Sequence, residues 1–206
     1  MSEYRLDAYF LNKKNLKKMI GSKDEKLKER IIKSNLLLDF FEKKKKKVLK
    51  ITNKLIDGEK YEKSPQGTTF AIWLLIDTLA ISRPKLPLIP YPFIDLYDFI
   101  DVLKKKKKKK YPNLIKIFEA INGKNTDFEL PISVKEWAIL PTITFIEQIN
   151  EKTAYEAKKM KEDFENEAKW TFDFDDEPND ILQVLDWFLE ANEKNKSICL
   201  VMDGDL

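Results

Sequence analysis

Nine residues in the last quarter of the chain combine carboxylates with aromatic rings: Glu165, Glu167, Trp170, Phe172, Asp173, Phe174, Asp175, Asp176 and Glu177. Closely spaced carboxylates can coordinate Ca²⁺ or Mg²⁺, serve as a glycosidase acid–base pair, or present negative charge to a cationic partner. Asp173, Asp175 and Asp176 have ligand-like spacing, but the stretch has neither the glycine nor the loop length of an EF-hand, so no metal is expected. Nothing specific favours a glycosidase pair. Two readings remain. The acids suit the start of a helix before Ile181, where they complement its dipole. Alternatively, the acids and rings form a recognition surface for a basic partner, the charges accelerating encounter and the aromatics anchoring it.

A second candidate carries the opposite charge. Lys43, Lys44, Lys45, Lys46 and Lys47 form one lysine run, and Lys104, Lys105, Lys106, Lys107, Lys108, Lys109 and Lys110 form another. Such runs can neutralise nucleic-acid phosphates. Base stacking would also require interleaved aromatics, and the runs contain none; Tyr111 alone follows the second. Consecutive helical residues turn by about 100°, so seven lysines surround an axis and do not line one stripe. The bland reading is a solvated helix end at which cations complement the dipole, stopped by Pro112.

These runs belong to a wider asymmetry. Residues 1–116 carry 29 Lys and Arg against 14 Asp and Glu, a net of +15, whereas residues 117–206 carry 9 against 21, a net of −12. The overall +3 therefore hides a basic first half and an acidic second half, which within one fold would partly neutralise each other.

Other chemistries are excluded by inventory. The chain has no histidine, which removes Ser-His-Asp and Cys-His catalysis and His-ligated zinc. Its five glycines cannot assemble a phosphate-binding or dinucleotide loop. Cys199 is the sole cysteine and sits in the apolar Ser197-Ile198-Cys199-Leu200-Val201, so it reads as an inert core residue. Only carboxylate, Lys or Tyr chemistry stays open, and no catalytic residue or cofactor is assigned. The longest apolar window, 70–81, is interrupted by Asp77 and falls short of the roughly 20 residues of a membrane span. Residues 1–11 are broken by Glu3, Arg5 and Asp7, unlike a signal peptide, so a cytoplasmic protein is expected.

The elements that would position these groups are read from periodicity. Tyr4, Leu6, Ala8 and Phe10 alternate as one face of a strand. A short helix over 13–20 ends at Gly21, and Ser22-Lys23-Asp24-Glu25 has capping-box spacing with Ser22 as the cap. Leu27, Ile31, Leu38 and Phe41 then share a helical face, and a helix from Lys46 ends at Asp57-Gly58. Residues 68–82 are apolar nearly all round, which places that helix in the core. Four prolines, Pro84, Pro87, Pro90 and Pro92, make 83–93 an extended loop, either packed on the domain or serving as an exposed docking edge. Helices follow over 94–108 and 113–122, a short strand over 128–134, a long helix opening at 141–144 and running to Trp170, a helix over 178–192, and an apolar strand over 197–202. The expected fold class is α+β: a single, mostly helical compact domain over 1–206, with a small sheet pairing the two terminal strands.

The order of these motifs resembles that of a family of uncharacterised bacterial proteins of about this length. The resemblance spans most of the chain and rests on residues 4–9, 20–27 and 55–59 and on the closing Trp187-Phe188-Leu189 helix and strand. It implies a small bacterial accessory protein similar to the immunity proteins of toxin systems, with no catalytic residues to carry over. The lysine-rich, glycine-poor composition departs from that family and fits an AT-rich genome or a phage-borne copy. The functional expectation is a non-enzymatic protein that neutralises another protein, either a toxin or a nuclease effector such as a CRISPR enzyme. The alternative is an RNA- or DNA-binding regulator using the lysine runs.

Overall fold

The computed structural model describes residues 4–59, 65–80, 82–90, 99–101, 103–105, 107, 109–119, 121, 142–166 and 179–204. The elements are β1 (Tyr4–Tyr9), α1 (Lys13–Met19), α2 (Glu25–Ile32), α3 (Lys45–Asp57), α4 (Pro65–Leu79), β2 (Leu88–Pro90), α5 (Pro112–Glu119), β3 (Thr142–Ile146), α6 (Glu151–Asn166), α7 (Asn179–Glu193) and β4 (Ile198–Gly204). Short turns of π and 3₁₀ geometry over Leu36–Phe40 and Glu42–Lys44 lead into α3. The class is α+β, as the periodicity implied.

The four strands form an antiparallel sheet in the order β2-β1-β4-β3, so the terminal strands pair at its centre, with Leu6 opposite Met202 and Tyr9 opposite Cys199. Both faces of this sheet are covered. Leu6, Ala8, Ile198, Leu200 and Met202 pack with α5, α6 and α7, while Tyr9, Ile143, Phe145, Cys199 and Val201 pack with α1 to α4. Burial on both faces favours apolar side chains at successive positions, which is why Ile198–Met202 of β4 reads as an unbroken apolar run. The Leu6/Ala8 face expected for β1 is correct, but its other face, Asp7 and Tyr9, is equally buried.

The helical layers follow from sequence with local revisions. Trp73 and its neighbours Phe70 to Ile76 are fully enclosed in α4, and Phe41 meets Phe70 and Trp73 edge-on at centroid distances of 5.2 and 5.6 Å. Gly58 ends α3 with φ +70°, and a Cβ there would approach the Gly21 backbone to 3.2 Å, so glycine is needed for both reasons. The cap of α2 is Asp24, which accepts from the Leu27 amide at 3.0 Å, and not Ser22. Lys23, at φ +56°, spends its own amide on the Ile56 carbonyl, so the turn between α1 and α2 runs two residues further than the capping box implied. Helix α2 ends at Ile32, and Leu36 and Leu37 enter the core in place of Leu38, which is exposed.

Two larger corrections concern strands β3 and β2. Residues 142–146, expected to open a helix, form strand β3; Thr-Ile-Thr-Phe-Ile is a β-branched and aromatic run whose alternate residues pack on opposite layers. The helix begins only at Glu151, where Asn150 accepts from the Thr153 amide. The proline-rich segment is not uniformly irregular: Leu88–Pro90 pairs with β1 as an edge strand, a position that tolerates proline. The strand expected over 128–134 lies outside the described residues. Residues 99–101 and 103–105 are helical, within the helix expected over 94–108.

Candidate partner-binding surface

The edge strand and the last helix build one surface together. At the entry to β2 the backbone of Pro87 points inward, its carbonyl accepting from the Ala8 amide at 2.8 Å, so the carbonyls of Leu86 and Leu88 point outward. Helix α7 satisfies them. The Gln183 side-chain amide donates to the Leu86 carbonyl at 2.7 Å and to the Leu88 carbonyl at 3.0 Å, and the Trp187 indole donates to the Leu86 carbonyl at 2.6 Å. The Lys85 amide donates to Glu190 at 3.1 Å. Four hydrogen bonds therefore hold the 85–88 backbone against α7 and block this edge to strand addition.

A loop fixed in this way has its entropy already spent. Its side chains nevertheless project outward: Leu86 is 67% exposed and Leu88 is 42% exposed, whereas Pro84 and Ile89 are buried. Of the two alternatives for the proline loop, residues 84 and 89 follow the packed one, while the side chains of residues 86 and 88 are exposed. Between the loop and α7 lies an open groove of about 800 Å³, with Leu86, Leu182, Trp187 and Leu189 as apolar lining and Asp186, Glu190 and Glu193 as carboxylates. Lys85 and Lys194 also line it. Helix α7 carries Asp180, Asp186, Glu190 and Glu193 and no cation. Asp186 pairs with Lys161 and Glu190 with Lys194. Partial burial alone would raise the Glu190 carboxyl, but bonds from Lys194 and the Lys85 amide outweigh it and hold the group below the ordinary carboxylate range.

The acidic aromatic residues picked from sequence are placed only in part. Glu165 belongs to α6, while Glu167, Trp170, Phe172, Asp173, Phe174, Asp175, Asp176 and Glu177 lie outside the described residues. Among the described residues, no group of three or more His, Cys, Asp or Glu side chains could hold a metal ion.

The two lysine runs stand on opposite sides of the sheet. Leu103 and Tyr111, which bracket the second run, belong to the core beside α5 to α7, whereas Phe41 and Val48, which bracket the first, belong to the core beside α1 to α4. The second run is also engaged by the acidic half. Lys104 pairs with Glu119 at 2.5 Å, and Lys110 and the Tyr111 hydroxyl both bond to Asp163. Burial would raise the Asp163 carboxyl, but those two bonds win and lower it. About two turns earlier on α6, Glu156 accepts from the Asn113 and Leu114 amides at 2.9 and 3.0 Å, capping α5 in trans. The solvated-end reading is thus revised at the close of the run, where Lys110 and Tyr111 form a turn bonded to Asp163. Lys105 and Lys109 are exposed, and Lys106 and Lys108 lie outside the described residues. In the first run Lys43, Lys46 and Lys47 are exposed, Lys44 sits 5.2 Å from the Phe70 ring, and Lys43, Lys45, Lys46 and Lys47 form no ion pair with a described residue.

One polar constellation gave no signal in the sequence. Arg5, Asp7 and Tyr9 alternate along β1 toward α4, where they meet Trp73, Asp77 and, from the following segment, Arg83. Burial raises both the Tyr9 hydroxyl and the Asp77 carboxyl, the latter partly offset by a 2.9 Å bond from Ser34. Burial likewise pushes the Cys199 thiol well up, away from its reactive form. No helix among the described residues is long and apolar enough to cross a membrane. No protein-family model, curated protein or solved structure matches the chain.

Proposed function

We propose that this chain is a non-enzymatic binding protein that captures another protein through the 85–88 loop and the α7 groove. The observation that carries this reading is the preorganised loop: Leu86 and Leu88 stand exposed on a backbone already fixed by Gln183, Trp187 and Glu190. Large exposed apolar side chains on a rigid backbone lose little freedom on binding, which is the property of interface anchors. The groove is lined by three carboxylates, Asp186, Glu190 and Glu193, against Lys85 and Lys194, and that excess of acid beside Leu86 and Leu182 suits an amphipathic partner segment with basic residues. A toxin or a nuclease effector fits that description, and the function is then neutralisation of its activity in the cytoplasm, in keeping with the immunity-protein resemblance.

The test is site-specific photo-crosslinking in the producing cell. A crosslinker at position 86 should trap one protein that the same crosslinker at Tyr155, 69% exposed on α6, does not. Purified trapped protein should lose its own activity when this chain is added. Recovery of only the free chain from both positions would sink the proposal.

The alternative, nucleic-acid binding through the lysine runs, is supported better by the first run, where Lys43, Lys46 and Lys47 are exposed, than by the second, where Lys104 and Lys110 pair with internal carboxylates and Lys105 and Lys109 are exposed.

A further inference from the structure

We infer, resting on the partner-binding reading, that the α7 groove takes an amphipathic α-helix of about three turns, laid along α7 with a Lys or Arg beside Glu193. The groove is lined along α7 from Leu182 to Lys194. At about 1.5 Å per residue that is about 18 Å, the length of about twelve residues of a second helix. Leu182, Asp186, Leu189 and Glu193 recur at spacings of four, three and four, so they form one stripe of α7 along the groove. The loop wall carries Leu86, exposed on its fixed backbone. A ridge with the helical period interlocks with the side-chain rows of another helix. Extended partners find nothing to pair with. A strand needs free main-chain groups, but the Leu86 and Leu88 carbonyls already accept from Gln183 and Trp187, and the Lys85 amide donates to Glu190. A polyproline segment docks on exposed aromatic rings, whereas Trp187, the ring lining this groove, is buried with its N–H spent on Leu86. A helix satisfies its own main chain and brings only side chains to the contact.

Charge fixes where the cation of that helix belongs. Lys161 pairs with Asp186 and Lys194 with Glu190, so those two carboxylates are matched within the chain. Glu193 is exposed in the last turn of α7 and forms no ion pair with a described residue. A partner Lys or Arg at that end meets both the carboxylate and the negative end of the α7 dipole. Lys85 and Lys194 also line the groove, so the fit is to a helix with its cation confined to one end and not to a wholly basic one.

Two synthetic peptides of about fourteen residues test it, both made of Leu, Ala and Gln with Lys at one end, and identical in composition. One spaces its leucines for a helix face, the other alternates them for a strand. Each is titrated into the isotope-labelled chain while the Gln183 side-chain amide and Trp187 indole signals are followed, with circular dichroism of the mixture. The helix-spaced peptide should shift both signals saturably and gain helicity, and the alternating isomer should bind about tenfold more weakly or worse. Glu193→Gln, on an exposed residue, should weaken the helix-spaced peptide by about two- to fivefold at an unchanged thermal unfolding midpoint. Binding of neither peptide below about 1 mM, an alternating isomer that binds as tightly, or undiminished binding by Glu193→Gln each overturn the inference. If any of these accompanies a protein trapped from position 86, the partner-binding reading stands without the helix. Saturable groove binding of the helix-spaced peptide with nothing trapped in the cell supports the helix and removes the groove as the functional surface.

Discussion

The Trp187 indole donates to the Leu86 carbonyl at 2.6 Å, across 101 residues of sequence, and so couples the core of the second helical layer to the most exposed leucine of the proposed interface. The ring is buried to 1% exposure, while its one polar atom reaches the surface loop. Trp187→Phe keeps most of the packing and removes the donor. It should cost about 1–2 kcal/mol, from one lost hydrogen bond and a small void. Amide exchange at Lys85, whose N–H bonds to Glu190, should quicken more than exchange in β4. Equal protection at Lys85 in the two proteins would mean that Gln183 alone fixes the loop.

Leu86→Ala separates interface from fold. At 67% exposure the side chain contributes little packing, so stability should change by no more than about 0.5 kcal/mol. Affinity for the crosslinked partner should fall by about 2 kcal/mol, mainly through a faster off-rate. An unchanged off-rate would remove Leu86 as an anchor.

Legibility in the sequence divides along physical lines. Regular elements with strong periodicity were readable: the all-apolar Phe70 to Ile76 stretch, the Gly58 stop, and the pairing of β1 with β4. The π and 3₁₀ turns over Leu36–Phe40 and Glu42–Lys44 were not, because the choice of Leu37 over Leu38 for the core is made by tertiary packing against α4. Strand β3 was lost to a similar ambiguity, since a five-residue β-branched run next to a helix start can be read either way. The surface itself was half legible. The prolines announced an extended segment at 83–93, but the decision that Ile89 turns inward and Leu86 outward depends on Gln183 and Trp187, about 100 residues away. The Arg5–Asp7–Arg83 cluster was invisible because β1 and the segment after α4 meet only in the folded sheet.

Asp163 makes stability depend on pH. Its carboxyl titrates below the ordinary value in the fold, so its ionised form contributes stability that is fully present above the unfolded value, about 3.9, and is lost as pH falls through the folded value. The stability gap between wild type and Asp163→Asn, measured by urea unfolding, should therefore be widest near about pH 7 and shrink below about pH 4. A gap independent of pH would show that Asp163 acts by shape and not by charge.

Asp77 should show the opposite sign. Burial raises its carboxyl in the fold, so ionisation opposes folding: the penalty is absent below the unfolded value and grows as pH rises through the folded one. Asp77→Asn keeps an oxygen for the Ser34 hydroxyl and removes the charge. It should match wild type near about pH 3 and exceed it in stability near about pH 7. A variant less stable than wild type at neutral pH would mean that attraction to Arg5 and Arg83 outweighs desolvation.

The lysine runs make separable predictions, because only one of them is tied into the fold. Lys110→Gln leaves Asp163 with Tyr111 as its remaining named donor, and since the lysine is 39% exposed the loss should be about 1 kcal/mol. Lys46→Gln and Lys47→Gln, on exposed residues without an ion pair to a described residue, should leave stability within about 0.5 kcal/mol of wild type. Binding to duplex DNA sorts the functional readings at the same sites. A run neutralising about five phosphates gives a log-affinity against log-salt slope near about −4, and each lysine removed lowers that slope by about 1. If the chain acts through the α7 groove, no such slope appears at low salt, and the Lys46 and Lys47 variants inhibit the crosslinked partner as wild type does. A steep slope that these two substitutions flatten, with Leu86→Ala inhibiting normally, would transfer the function to the first lysine run.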